Sequence, residues 1–275
     1  MQTTTPSETT TPSKTTTAPA STSTSRAGVV GAIAVVNAPI SIARTAAGPV
    51  GYREVGTGSP ILLVMGLGGS MDDWQPAFVA GLAAHHRVVV FDNAGIGKTG
   101  TLPSPLGITE MANQASALIS ALGLGRTAVL GWSMGGMIAQ ALAVLHPAQV
   151  SRLILAATQP GTGRAVPIPA AAAAAAASPD PATVLSVLFP PGQAAAERTY
   201  VIGILRYPDF YQAPRATTVA QELAVEQWIA GKDPAGLLVP GPGELPVRCE
   251  AIPGLGAIAA KVGRPVSVSA PWPPG

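Results

Sequence analysis

The sequence predicts an α/β fold: a mostly parallel sheet flanked by helices, with a helical cap. Three observations carry that expectation. Short runs dominated by apolar residues, such as Ile61–Met65 and Arg87–Phe91, have the character of strands buried on both faces. Segments of helical spacing alternate with them, as connections between parallel strands require. From Gln159 to about Ala235 the strand signal stops, and only helical segments follow.

The elements follow in order. Residues 1–38 form a Thr/Ser/Pro-rich tail and arm, too poor in apolar residues over Met1–Ser25 to offset the entropy of ordering. The apolar stretch Ala27–Val36 reads as a buried strand or a loosely attached arm. At half the length of a spanning segment it cannot cross a membrane, and a signal-peptide reading is opposed by the long, weakly cationic segment before it. A core domain is expected over 39–158. It begins with a hairpin, Ile40–Ala43 and Val50–Val55, turning through Ala47-Gly48-Pro49. Then come the strand Ile61–Met65, a helix over Trp74–Ala84 and the strand Arg87–Phe91. A helix over Thr109–Leu122 has Thr109 as expected N-cap and Gly123 as stop. Thr127–Trp132 reads as a strand, Met134–His146 as a helix ended by Pro147, and Val150–Ala156 as a strand. The cap, 159–235, holds the alanine run Ala170–Ala177 and helical segments over Gln193–Tyr207 and Thr217–Ala230. In the tail, 236–275, Gly and Pro make up 15 of 40 residues against 59 of 275 overall, a level that argues against strands or long helices.

Composition narrows the function. A net charge of +2 with no Lys/Arg cluster speaks against nucleic acid, and the single Cys249 excludes an internal disulfide or a cysteine-built metal site. No cofactor, metal or membrane span is expected. The expected partner is a small-molecule substrate or ligand, and the expected compartment is cytoplasmic.

The chemistry concentrates at Gly131-Trp132-Ser133-Met134-Gly135, which matches G-x-S-x-G between an incoming strand and an outgoing helix. Such a turn projects the Ser133 hydroxyl over the carboxyl edge of a sheet, beside a helix N-terminus that favours developing negative charge. Upstream, Met65-Gly66-Leu67-Gly68-Gly69-Ser70 closes another strand, and Phe91-Asp92-Asn93-Ala94-Gly95-Ile96-Gly97 a third. Together these residues resemble the α/β-hydrolase family, specifically its serine esterases and perhydrolases, from Ile40 to about Ala235. The resemblance implies Ser133 as nucleophile, the elbow glycines Gly131 and Gly135, and an oxyanion hole from the N–H groups of Leu67 and Met134. Met65 departs from the histidine the family often carries there, which leaves the backbone donors untouched. A rival reading of Gly95-Ile96-Gly97-Lys98-Thr99 as half a phosphate loop fails, because Asp92 occupies the first glycine position and Gly100, Pro103 and Pro105 block the helix that must follow.

The family places an acid and then a histidine after two further strands. Here the pattern stops, so the last two strands are expected to be missing, with no general base and no acid. His85 and His86 precede a strand, and His146 ends the helix that starts at Ser133. Each is expected about 17–20 Å from the hydroxyl, whereas a base must come within about 3 Å. Val150–Ala156 would then be an exposed apolar edge. The abrupt loss of pattern near residue 236, into Gly, Pro, Ala and Arg, suggests a reading-frame slip in a GC-rich coding sequence. Another frame would encode two apolar strands, the first followed by Asp or Glu and the second by Gly-His. Three functions are compatible with this: an impaired hydrolase acting on small ester-like or acyl compounds, a non-catalytic ligand binder, or a truncated product. Leu185, Phe189, Tyr200, Ile204 and Tyr207 would line an apolar lid, or form the cap's packing face, the reading helical spacing favours.

Overall fold

The computed structural model describes residues 26–161, 169–176, 178, 180–189, 191–208 and 210–238. Cys249 and the proposed frame slip after residue 236 fall, apart from its first residues, outside them.

Six strands form one mixed sheet in the order β1-β2-β4-β3-β5-β6. Strands β1 (Ser41–Thr45) and β2 (Gly48–Val55) make the expected hairpin, and β2 runs antiparallel to β4 (His86–Phe91). From β4 the sheet is parallel, through β3 (Ser59–Val64), β5 (Thr127–Trp132) and β6 (Val150–Ala156). The inner strands alternate between two cores. Leu62, Val64, Val89, Phe91 and Val129 face one side, and Ile61, Leu63, Val88, Val90 and Leu130 the other. Both faces are apolar because helices cover both, which is why these strands read as continuous apolar runs. Among the described residues β6 pairs only with β5.

Helices α3 (Ile108–Ala121) and α4 (Met134–Leu145) cover one face. In α3 the buried Met111, Ala112, Ala115, Leu118 and Ile119 follow helical periodicity. Its N-cap is Gly107, not Thr109, which lies in the first turn: the Thr109 hydroxyl donates to Asp233 Oδ1 at 2.6 Å, and its oxygen accepts from Ala235 N at 3.2 Å. Gly123 ends the helix as expected, with φ 59°.

The other face carries α1 (Arg26–Val36) and α2 (Pro76–Ala83). The stretch expected to be a strand or loose arm is therefore a packed helix. Its Val35 and Val36 join the core, and a Cβ on Gly31 would sit 3.2 Å from Ala80 Cβ, so the glycine sets how closely the two helices approach. The helix expected over Trp74–Ala84 begins two residues later, at Pro76. A short 3-10 turn, Met71–Asp73, precedes α2, and Trp74 lies in the link between them.

The cap comprises α5 (Ala170–Ala176), α6 (Pro181–Leu188), α7 (Ala194–Ile204), α8 (Arg215–Ile229) and α9 (Pro234–Leu238). The alanine helix buries no residue. Of the candidate lid residues, Ile204 and Tyr207 are buried, Phe189 and Tyr200 meet at 5.6 Å between ring centres, and the Tyr207 hydroxyl donates to Trp74 O at 3.2 Å. They pack the cap together and onto the core.

Candidate active site

Parallel pairing puts the ends of β3 and β5 side by side, with Val64 opposite Gly131. The loop after β3 and the turn after β5 are therefore neighbours, and a Cβ on Gly66 would lie 3.2 Å from Ser133 Cβ. Ser133 has φ 55° and ψ −123°, a left-handed conformation costly for a residue with a side chain. Its N–H donates to Ala156 O at 2.9 Å, which ties the turn to the end of β6, and the half-buried side chain stands where α4 begins. Both flanking glycines are required by space. A Cβ on Gly131 would strike the backbone of Gly135 and Gly136, and one on Gly135 would strike the carbonyls of Val64 and Met65.

Among the described residues, neither the Leu67 N–H nor the Met134 N–H meets a protein acceptor. The surrounding loop is held from several sides. Asn93 Nδ2 donates to Met65 O at 2.8 Å, and Asp92 accepts from Met71 N at 2.8 Å and Lys98 N at 3.4 Å. Asp73 closes a capping box with Ser70. Asp92 is 2% exposed, and burial pushes its carboxyl, like that of Asp73, up to about 6. Beside them Asp72 is paired with Arg53 at 2.9 Å in a buried bridge, and the Arg53 guanidinium also donates to Ala38 O. The phosphate-loop rival fails here as well: Asp92 fills the turn, and no helix begins until Ile108.

The three histidines lie elsewhere. His86 pairs with Ser59 at the start of β3, its Nδ1 3.0 Å from the Ser59 hydroxyl. His85 directly precedes it. His146 caps the far end of α4, with Nε2 at 2.8 Å from Asn113 Oδ1. A cleft of about 500 Å³ on that side is lined by His146, Arg44, Asn113 and Ser116, remote from Ser133. The segment after β6, where an acid could stand, is Ala157-Thr158-Gln159. Thr158 packs against Gly136, and Gln159 O accepts from Gln140 and Trp228. Among the described residues no group of three or more His, Cys, Asp or Glu could hold a metal ion, and no helix is long and apolar enough to cross a membrane.

Residues 59–186 match the family model described as alpha/beta hydrolase fold. Over these residues the chain is similar to that family, and it has the alpha/beta hydrolase fold. It is 40% identical over 105 residues to the protein named carbamate hydrolase RutD in Azorhizobium caulinodans, covering 38% of this chain and 39% of that one. Over 115 residues it is 42% identical to the protein named non-heme bromoperoxidase BpoC in Mycobacterium tuberculosis, covering 42% of this chain and 44% of that one. The matches thus span less than half the length of these curated relatives. An alpha/beta hydrolase fold protein from Chitinophaga pinensis superposes with a TM-score of 0.61 at 25% identity, covering 70% of this chain and 72% of that one.

Three cap residues that meet this edge carried no recognisable sequence signal. Gln221 accepts from Gly68 N, Trp228 donates to Gln159 O, and Asp233 accepts from Thr109. Each partner is distant in sequence, so no local pattern could mark them.

Proposed function

We propose that the chain carries a serine-hydrolase site for small acyl or ester-like compounds, with Ser133 as nucleophile and the N–H groups of Leu67 and Met134 as oxyanion donors. The observation that supports it most is the strained Ser133 turn set beside two backbone N–H groups without acceptors among the described residues. Addition of Oγ to an acyl carbon forms a C–O bond and moves the carbonyl electron pair onto oxygen. Two preorganised donors stabilise that charge. Collapse breaks the bond to the leaving alkoxide or amine, which takes up the proton lost from Oγ, and leaves an acyl-serine for water to cleave. Esters and carbamates share the acyl carbon this chemistry needs, and the relative named as a carbamate hydrolase puts carbamates in the class to be tested.

The Oγ proton requires a base, and no histidine of this sequence is placed to take it. Turnover is therefore expected to stay near the roughly 10³-fold acceleration that binding and an oxyanion hole supply without a complete triad. The same histidine placement favours a second reading, a hydrolase-fold binder of small ligands. A fluorophosphonate probe and a p-nitrophenyl ester series separate these readings. Slow labelling and slow turnover, both lost in Ser133→Ala, support the hydrolase. Absence of labelling supports the binder, and turnover of several per second would refute the impairment.

A further inference from the structure

We infer that Gln221 is a positioning residue for the oxyanion loop, through which the cap sets the direction of the Leu67 N–H. The inference rests on the reading of Leu67 as an oxyanion donor. Three consecutive peptide planes bear on that N–H, since each peptide unit is rigid and only φ and ψ can turn it. The Met65–Gly66 plane is held by Asn93 Nδ2 on Met65 O at 2.8 Å. The Gly66–Leu67 plane, which contains the N–H in question, is held by Gly69 N on Gly66 O at 3.3 Å. The Leu67–Gly68 plane is held by Gln221 Oε1, which accepts the Gly68 N–H at 2.8 Å. The first anchor comes from the loop after β4, the second from the oxyanion loop itself, and the third from α8 of the cap.

The anchor is built rather than incidental. Gln221 is 0% exposed, and its amide can face a backbone N–H only with its oxygen, so its orientation is forced. That leaves Nε2 buried without an acceptor among the described residues, a state that costs stability. A residue kept for packing alone would be better apolar. Gly68 has φ 70°, and a Cβ there would lie 3.1 Å from Thr218 Cγ2. One residue earlier in α8, Thr217 would lie 3.1 Å from a Cβ on Gly95 in the loop after β4. The first turns of α8 therefore rest on both loops that frame the nucleophile turn.

The test compares the full chain with Gln221→Met, which keeps volume and removes the acceptor, and Gln221→Glu, which keeps an acceptor oxygen. Gln221→Asn, which withdraws the oxygen by one carbon, replaces the methionine variant if that does not fold. An alkyl fluorophosphonate is the probe. The maximal labelling rate of Ser133 is expected to fall about tenfold or more in Gln221→Met, on the scale of a lost oxyanion donor. The half-saturating probe concentration should stay within about twofold, and Gln221→Glu should restore most of the rate. Equal rates in all three proteins would overturn the inference. If the unaltered chain does not label at all, the nucleophile reading fails instead, and amide exchange at Gly68 decides the positioning role. Exchange faster in Gln221→Met than in the other two supports it, and unchanged exchange overturns it.

Discussion

The two edges of the sheet are built from the same strands yet carry opposite chemistry. At the carboxyl edge the chain stores strain and buries polar groups: Ser133 at positive φ, Asp92 and Asp73 with raised pKa, and the Arg53–Asp72 bridge. At the amino edge His86 and His146 bond to Ser59 and Asn113 in half-exposed settings, and His85 is exposed. A histidine is a chemical resource only within reach of a nucleophile, and parallel strand polarity decides which edge receives it. The difference teaches that residue type without placement says little about mechanism.

The comparison predicts where substitutions hurt. The largest effect is expected for Arg53→Ala, which leaves Asp72 with its main charge partner gone in a buried site; stability should fall by about 3–5 kcal/mol in denaturant unfolding. A loss below about 1 kcal/mol would mean the carboxyl edge tolerates unpaired charge.

The buried acids give the next effect. Their folded pKa of about 6 exceeds the unfolded value near 3.8, so the folded state binds more protons between those pH values. Stability from these groups is therefore full below about pH 4 and declines as pH rises through 6. For Asp92 the decline is on the order of 2–3 kcal/mol. Asp92→Asn should flatten that part of the stability–pH curve while costing the hydrogen bond from Lys98 N. An unchanged curve would place the titration elsewhere.

Ser133→Gly should stabilise the chain by about 1 kcal/mol, because glycine adopts the left-handed conformation without strain. A lower melting temperature would show that the serine side chain stabilises its own turn. The smallest effect is expected at the other edge. His86→Ala should change stability by less than about 0.5 kcal/mol and leave Ser133 labelling untouched. A loss of labelling would connect the two edges and break the comparison.

Much of this architecture was legible in the chain. The strands β4, β5 and β6 and helix α4 appear within a residue of their expected limits, because strand runs buried on both faces and a glycine-flanked turn are local signals. The Ser133 turn was legible for the same reason: Gly131 and Gly135 are demanded by backbone contacts within a few residues or with the adjoining strand end. Helix α1 was not, since its apolar residues lack a strong one-sided pattern and only the surface of α2 makes it a packed helix.

The sequence by itself determined the strand–helix alternation, the elbow and the remoteness of all three histidines, because periodicity, glycine spacing and the polarity of a parallel sheet are properties of short segments. Only the tertiary structure decided that Gln221 meets Gly68, that Asp233 takes the Thr109 hydroxyl and that Arg53 pairs with Asp72. The reason is physical. A buried polar group must find a partner wherever packing brings one, and across separations of 153, 124 and 19 residues that partner is chosen by the fold and not by neighbouring letters.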